Sequence, residues 1–139
     1  MTAISALNRW AIRLTPYAGV FLRIGVGWVF LRHGIGKLGM GVDGVAGFFG
    51  GLGIPVPHVF AVIVMTVETV GAVCVLVGAL TRFWAALMAV DMIVAISVAI
   101  MPTGRAWELE GLLLAGAVAL VGLGDGPLSL GKLLRKGAR

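Results

Sequence analysis

LRIGVGWVFLRHGIGKL, Leu22–Leu38, is the stretch whose reading decides the fold. It lies inside the first long apolar run, yet it carries Arg23 near the middle of that run and His33 and Lys37 towards its far end. A central Arg in a helix that crosses hydrocarbon costs about 2.5–3.5 kcal/mol even on a lenient insertion scale. A compensating acid is therefore expected elsewhere in the chain. Two later apolar runs each hold one near the middle, Glu68 and Asp91. The expectation is a small helical membrane protein assembled around a buried charge set.

Composition points the same way. The 139 residues suit one domain. They are 60% hydrophobic and 12% charged, where a soluble chain carries about 25% charged residues. The mean hydropathy is +1.07. A net charge of +5 would suggest nucleic acid in a soluble protein. Here the basic residues gather at the chain ends and in one short turn, so they read as topology signals beside anionic lipid. Nucleic acid is not an expected partner. Cys74 stands alone, which excludes an internal disulfide, a CxxC redox pair and a metal site built on thiolates within one chain. Two His without usable spacing argue against a structural metal. Arg23 interrupts any signal-peptide core, and the first span is read as uncleaved.

Taken in order, the chain begins with a basic leader, 1–14, whose Trp10, with Tyr17 after it, suits a headgroup belt. Spans are expected at about 16–38, 59–80, 83–101 and 107–123. Between the first two lies GMGVDGVAGFFGGLGIPVP, Gly39–Pro57, too broken by Gly and Pro to cross. Within it Val42, Val45, Phe48, Phe49 and Leu52 recur at helical spacing, which predicts a short helix lying in the interface. The fold expected is all-α: a four-helix membrane bundle over residues 1–139. With both termini inside, the inner side holds Arg9, Arg13, Arg82, Lys132, Arg135, Lys136 and Arg139, against Arg32, Lys37 and Arg105 outside. That seven-to-three bias predicts cytoplasmic termini and an even number of spans. The 22 Gly exceed the usual share of about 7%. Those within spans (Gly25, Gly27, Gly71, Gly78 and Gly111) let helices approach closely.

Two polar constellations stand out. Arg23, Glu68 and Asp91 fall at depths an Arg side chain can bridge, so the three are expected to meet in the interior. A clamp that fixes helix register and a proton-linked or ligand-binding site are both open readings of that set. The second constellation is at the outer end. Lys37 follows Arg23 by fourteen residues on nearly the same helix face, and His33 lies one turn below it. Glu108 and Glu110, with Trp107, come in at similar height from the fourth span. Headgroup contact and a polar mouth for a small molecule or quinone headgroup are the two readings there. His58, beside Pro57, reads as a plain interface residue. No nucleotide-binding or nucleophile motif is present.

LRIGVGWVFLRHGIGKL, GVAGFFGGLGIPVP, VETVGAVCVLVGALTR and GDGPLSL, in that order and spacing, resemble the DoxX family of small bacterial membrane proteins over about Leu22–Leu130. The family's pattern falls on Arg23, on His33 with Gly34 and Lys37, on Gly53 with Pro55, on Glu68, and on Thr81 with Arg82. An acid at the start of the fourth span is also usual there, which leaves Glu108 and Glu110 as candidates. The family often ends its last motif Ser-Leu-Asp, whereas Ser129-Leu130 is followed here by Gly131. The resemblance implies a four-helix protein of the bacterial cytoplasmic membrane with redox associations, since its relatives include a subunit of a thiosulfate:quinone oxidoreductase. The expectation is an accessory subunit without an intrinsic cofactor. It would bind a quinone or another small lipophilic molecule among His33, Lys37, Trp107, Glu108 and Glu110. Membrane lipids, membrane-associated redox proteins and a second copy of the chain are its expected partners. A purely structural scaffold and a proton-linked carrier are the alternatives.

Overall fold

The computed structural model describes residues 3–137, and the expected roles of Met1 and Arg139 lie outside the described residues. The first helix, α1 (Ala3–Gly51), takes in the supposed leader, the first span and the Gly-rich segment beyond it. Pro16 sits inside it, where a missing N–H normally breaks the ladder. Beside it the Thr15 hydroxyl donates to the Ala11 carbonyl at 3.0 Å. The real break comes at Gly41, whose φ of 71° and ψ of 167° fall outside helical space and suit only glycine. Beyond it, residues 42–51 form a second arm. This arm covers a neighbour: Val45, Ala46 and Phe49 are buried against Ala61 and Met65. Phe48 stays exposed.

Helix α2 (Pro57–Val77) begins with Pro in its first turn, where no N–H is needed. It holds a π turn at Val67–Gly71 and stops at Gly78 in the left-handed region. There Ala79 N–H reaches the Cys74 carbonyl at 2.8 Å and Gly78 N–H the Val75 carbonyl at 3.2 Å. This is the double closure that satisfies the last carbonyls of a helix. Helix α3 (Thr81–Thr103) has its own π turn at Ala95–Ile100 and ends at Gly104. Helix α4 (Glu108–Leu123) follows, and a short α5 (Leu130–Gly137) closes the described chain.

Four helices share one core, which draws Val26 and Phe30 from α1, Val67 and Val75 from α2, Met88 and Met92 from α3, and Ala117 and Leu120 from α4. The helices α1 and α2 run antiparallel with glycine at the crossing points. A methyl group on Gly34 would lie 2.5 Å from the Glu68 carbonyl oxygen, and one on Gly27 3.3 Å from that of Ala72. Farther down, Gly78 meets the Arg23 guanidinium. Two ends follow from this register: a Lys37 end, where residues 41–57 and 104–107 turn, and an Arg23 end, where α2 passes into α3 and α4 into α5.

The outer surface is apolar. Ile24, Trp28, Val62, Ile63, Val73, Val90 and Ile93 are all exposed, far more than a monomer in water shows in one belt. Three helices are long and apolar enough to cross a membrane: the stretch Asn8–Gly51 of α1, with α2 and α3. The described residues are all-helical, with no strand. At 16 residues, α4 is about 24 Å long.

Candidate functional site

The charges do not meet as one interior set, and that expectation is corrected. The Glu68 carboxylate is held by Lys37, Nζ to Oε2, at 2.5 Å, with the Glu68 side chain 4% exposed. Asp91 comes in from α3 and lines the same cavity as Lys37 and Glu68. Its Oδ2 is buried without a partner. The trio brings one ammonium and two carboxyl groups together.

Arg23 lies at the opposite end. Its guanidinium donates to the Asp125 carbonyl and, at 2.6 Å, to the Leu128 carbonyl. Glu68 and Gly78 are ten residues apart on α2, about 15 Å at 1.5 Å per residue, and Arg23 is level with Gly78. The reason is directional. Helical side chains lean towards the N-terminus of their own helix. In antiparallel α1 and α2, Arg23 leans one way and Glu68 the other, while Lys37 leans back towards Glu68. Depth and face were readable from spacing, but lean reverses with chain direction and decides the partner.

Around Arg23 the C-terminal loop locks onto the α2–α3 turn. Asp125 Oδ1 accepts the Thr81 N–H at 2.9 Å, capping α3 from the loop after α4. Gly131 N–H donates to the Gly78 carbonyl at 3.1 Å, and Arg82 to the Gly122 carbonyl at 3.2 Å. Asp125 was not among the expected site residues. Its signal was present in GDGPLSL, where a lone acid between two glycines stands close to a buried Arg.

Two cavities flank the Lys37–Glu68 pair. The larger, about 310 Å³, is walled by Phe48, Phe49, Phe60, Val64 and Val98, with Lys37, Glu68 and Asp91 also in its lining. The smaller, about 90 Å³, is lined by Phe30, His33, Lys37, Glu68, Glu110 and Leu113 among others. Of the two acids expected at the mouth, Glu110 reaches this cavity while Glu108 is exposed to solvent. Trp107 covers Gly111, where a methyl group would come within 2.8 Å of its ring. It is 54% exposed and lines neither cavity. His33, Lys37 and Glu110 therefore come together, and Glu108 and Trp107 stand apart from them. His58 is exposed and pairs with Asp43 at 3.3 Å across the α1–α2 connection.

A model of the DoxX family matches residues 18–101. The chain belongs to the DoxX family. The DoxX match takes in Arg23, His33, Lys37, Glu68 and Asp91, and ends before Glu110 and the loop that receives Arg23. The chain is also similar to a protein of Bacillus subtilis (strain 168) named "Putative oxidoreductase CatD". That likeness is 32% identity over 123 residues, 86% of this chain and 89% of that protein. No solved structure matches it. Its DoxX membership and its three long apolar helices make this a membrane protein.

Proposed function

We propose that this DoxX protein holds a small lipophilic molecule with a polar head, of the quinone kind, in the cavity beside Lys37, Glu68 and Asp91. One observation carries the reading: a largely apolar space of about 310 Å³ with an ammonium and two carboxyl groups in its lining. Ligand sites have this character, with apolar walls for the body and a few convergent polar groups for orientation, in a range of about 300–1,000 Å³. Lys37 would donate to a carbonyl oxygen of the head, and the Asp91 carboxyl would accept from a hydroxyl. Glu68 and Asp91 take the orienting role first given to Glu108 or Glu110.

The setting is a multi-pass protein of the bacterial cytoplasmic membrane, with α4 as fourth crossing and both termini inside. Its role is that of an accessory subunit in a redox assembly, and two lines support it. The chain has short connections and a single cysteine, so electron transfer falls to a partner. The relative's name carries an oxidoreductase label.

The test is thermal unfolding in mild detergent with a short-tailed quinone analogue, against an alkane of similar size. The quinone should raise the melting temperature of the native chain and leave Val98→Trp, which fills the cavity, unmoved. If the two compounds act alike, the binding site is abandoned and the scaffold reading remains.

A further inference from the structure

Each of the four core helices brings an ionisable side chain to one level: His33 and Lys37 from α1, Glu68 from α2, Asp91 from α3 and Glu110 from α4. Lys37 and Glu68 belong to both cavities and so form the partition between them. On one side is the apolar space with Asp91. On the other is a smaller space of about 90 Å³, with exposed His33 and half-buried Glu110 in its wall beside Phe30, Met92 and Leu113. At about 30 Å³ per water, that volume takes roughly three molecules, and its side chains supply the polar partners ordered water needs. Glu110 lies in the first turn of α4, next to the connection from α3, so this cavity sits at the aqueous Lys37 end. Arg32 faces the neighbouring open hollow with His33 and Lys37.

We propose that these groups form a proton path. It runs from Glu110 and His33 through water in the small cavity to Glu68 and Asp91, and ends on the molecule in the apolar cavity. Only that last step rests on the ligand reading above. There a ligand O–H bond breaks, its electron pair stays on the ligand oxygen, and a new O–H bond forms on Asp91. The proton then passes across the carboxyl pair to Glu68 and out by water to Glu110, which leaves Asp91 as it began. The transfer needs no oxidant. Asp91, in the lining of the apolar cavity, is the group placed to receive the proton.

Infrared spectroscopy of the full-length protein in lipid nanodiscs, moved from H2O to D2O, tests the path. A carboxylic C=O band should be present in the native chain, lost in Asp91→Asn or Glu68→Gln, and quick to exchange. Glu110→Gln should slow that exchange on the order of tenfold or more, each tenfold being about 1.4 kcal/mol of barrier. Glu108→Gln, on the exposed face, should not slow it. An unchanged exchange rate in the Glu110→Gln/His33→Phe double variant overturns the path, as does the lack of a protonated carboxyl band. Quinone binding is measured separately on the same samples. Slowed exchange without quinone binding supports the path and removes the ligand reading; binding with unslowed exchange does the reverse.

Discussion

The Lys37–Glu68 contact shows what one residue can decide. Glu68 is buried almost entirely, and its ammonium partner is what makes that burial tolerable. Removing one member of a buried pair costs about 3–5 kcal/mol, because the other is left charged in an apolar place. Lys37→Met should therefore lower stability by about that amount. Adding Glu68→Gln should recover part of it, with a coupling of about 0.5–3 kcal/mol in the double-mutant cycle. Equilibrium unfolding in mixed micelles measures both, and an unaltered Lys37→Met would show that the pair carries no weight. The ionisable residues were legible in the sequence, since charges in an apolar run cannot hide. Their pairing was not. Arg23 looked like the cation for two acids, yet its nitrogens serve the Asp125 and Leu128 carbonyls instead.

Among the elements, the closest approach is where α1 crosses α2 at Gly34. An added methyl there would press on the Glu68 carbonyl and on the Thr69 side chain, 2.5 and 2.6 Å away. Backbone cannot step aside as a flexible side chain can. Gly34→Ala should cost at least the ~1–3 kcal/mol typical of overpacking. Gly36→Ala meets nothing within 4 Å and should stay within about 0.5 kcal/mol of the native chain. Equal melting temperatures for the two variants would remove the crossing from the account. The long helices were readable because runs of apolar residues leave few alternatives. Their limits were less so. The supposed leader is helical from Ala3, and most of the Gly39–Pro57 segment is a helical arm, 42–51, that covers α2. Gly41 separates that arm from the rest of α1 through a single pair of dihedral angles, which no periodicity in the sequence records.

For the whole molecule, the two ends differ in chemistry. Arg9 and Arg13 on α1, Arg82 at the start of α3, and Lys132 and Lys136 on α5 all belong to the Arg23 end. A basic excess of this kind fixes orientation in a bacterial membrane. Reporter fusions at Met1, Arg82 and Arg139 should all report cytoplasm, and one placed between Gly104 and Trp107 the opposite side. A periplasmic signal at either terminus would overturn the topology. Cytoplasmic signals at all three would put the candidate site towards the outer face and the lock around Arg23 towards the inner one.

The π turn at Val67–Gly71 gives α2 a property that a plain helix of the same length lacks. Each ring of a π turn spans one residue more than an α turn, so the side chains after it are rotated by about 100° against those before it. In α2 the earlier side chains, Ala61 and Met65, face residues 42–51, while the later ones, Ala72 and Val75, face the common core. It is two half-helices in different phase, and Glu68 stands at the seam. The carboxyl's place is therefore kept by counting as much as by chemistry: the same residues wound as an ordinary α turn would swing the lower half of α2 by about 100° to face the wrong partners.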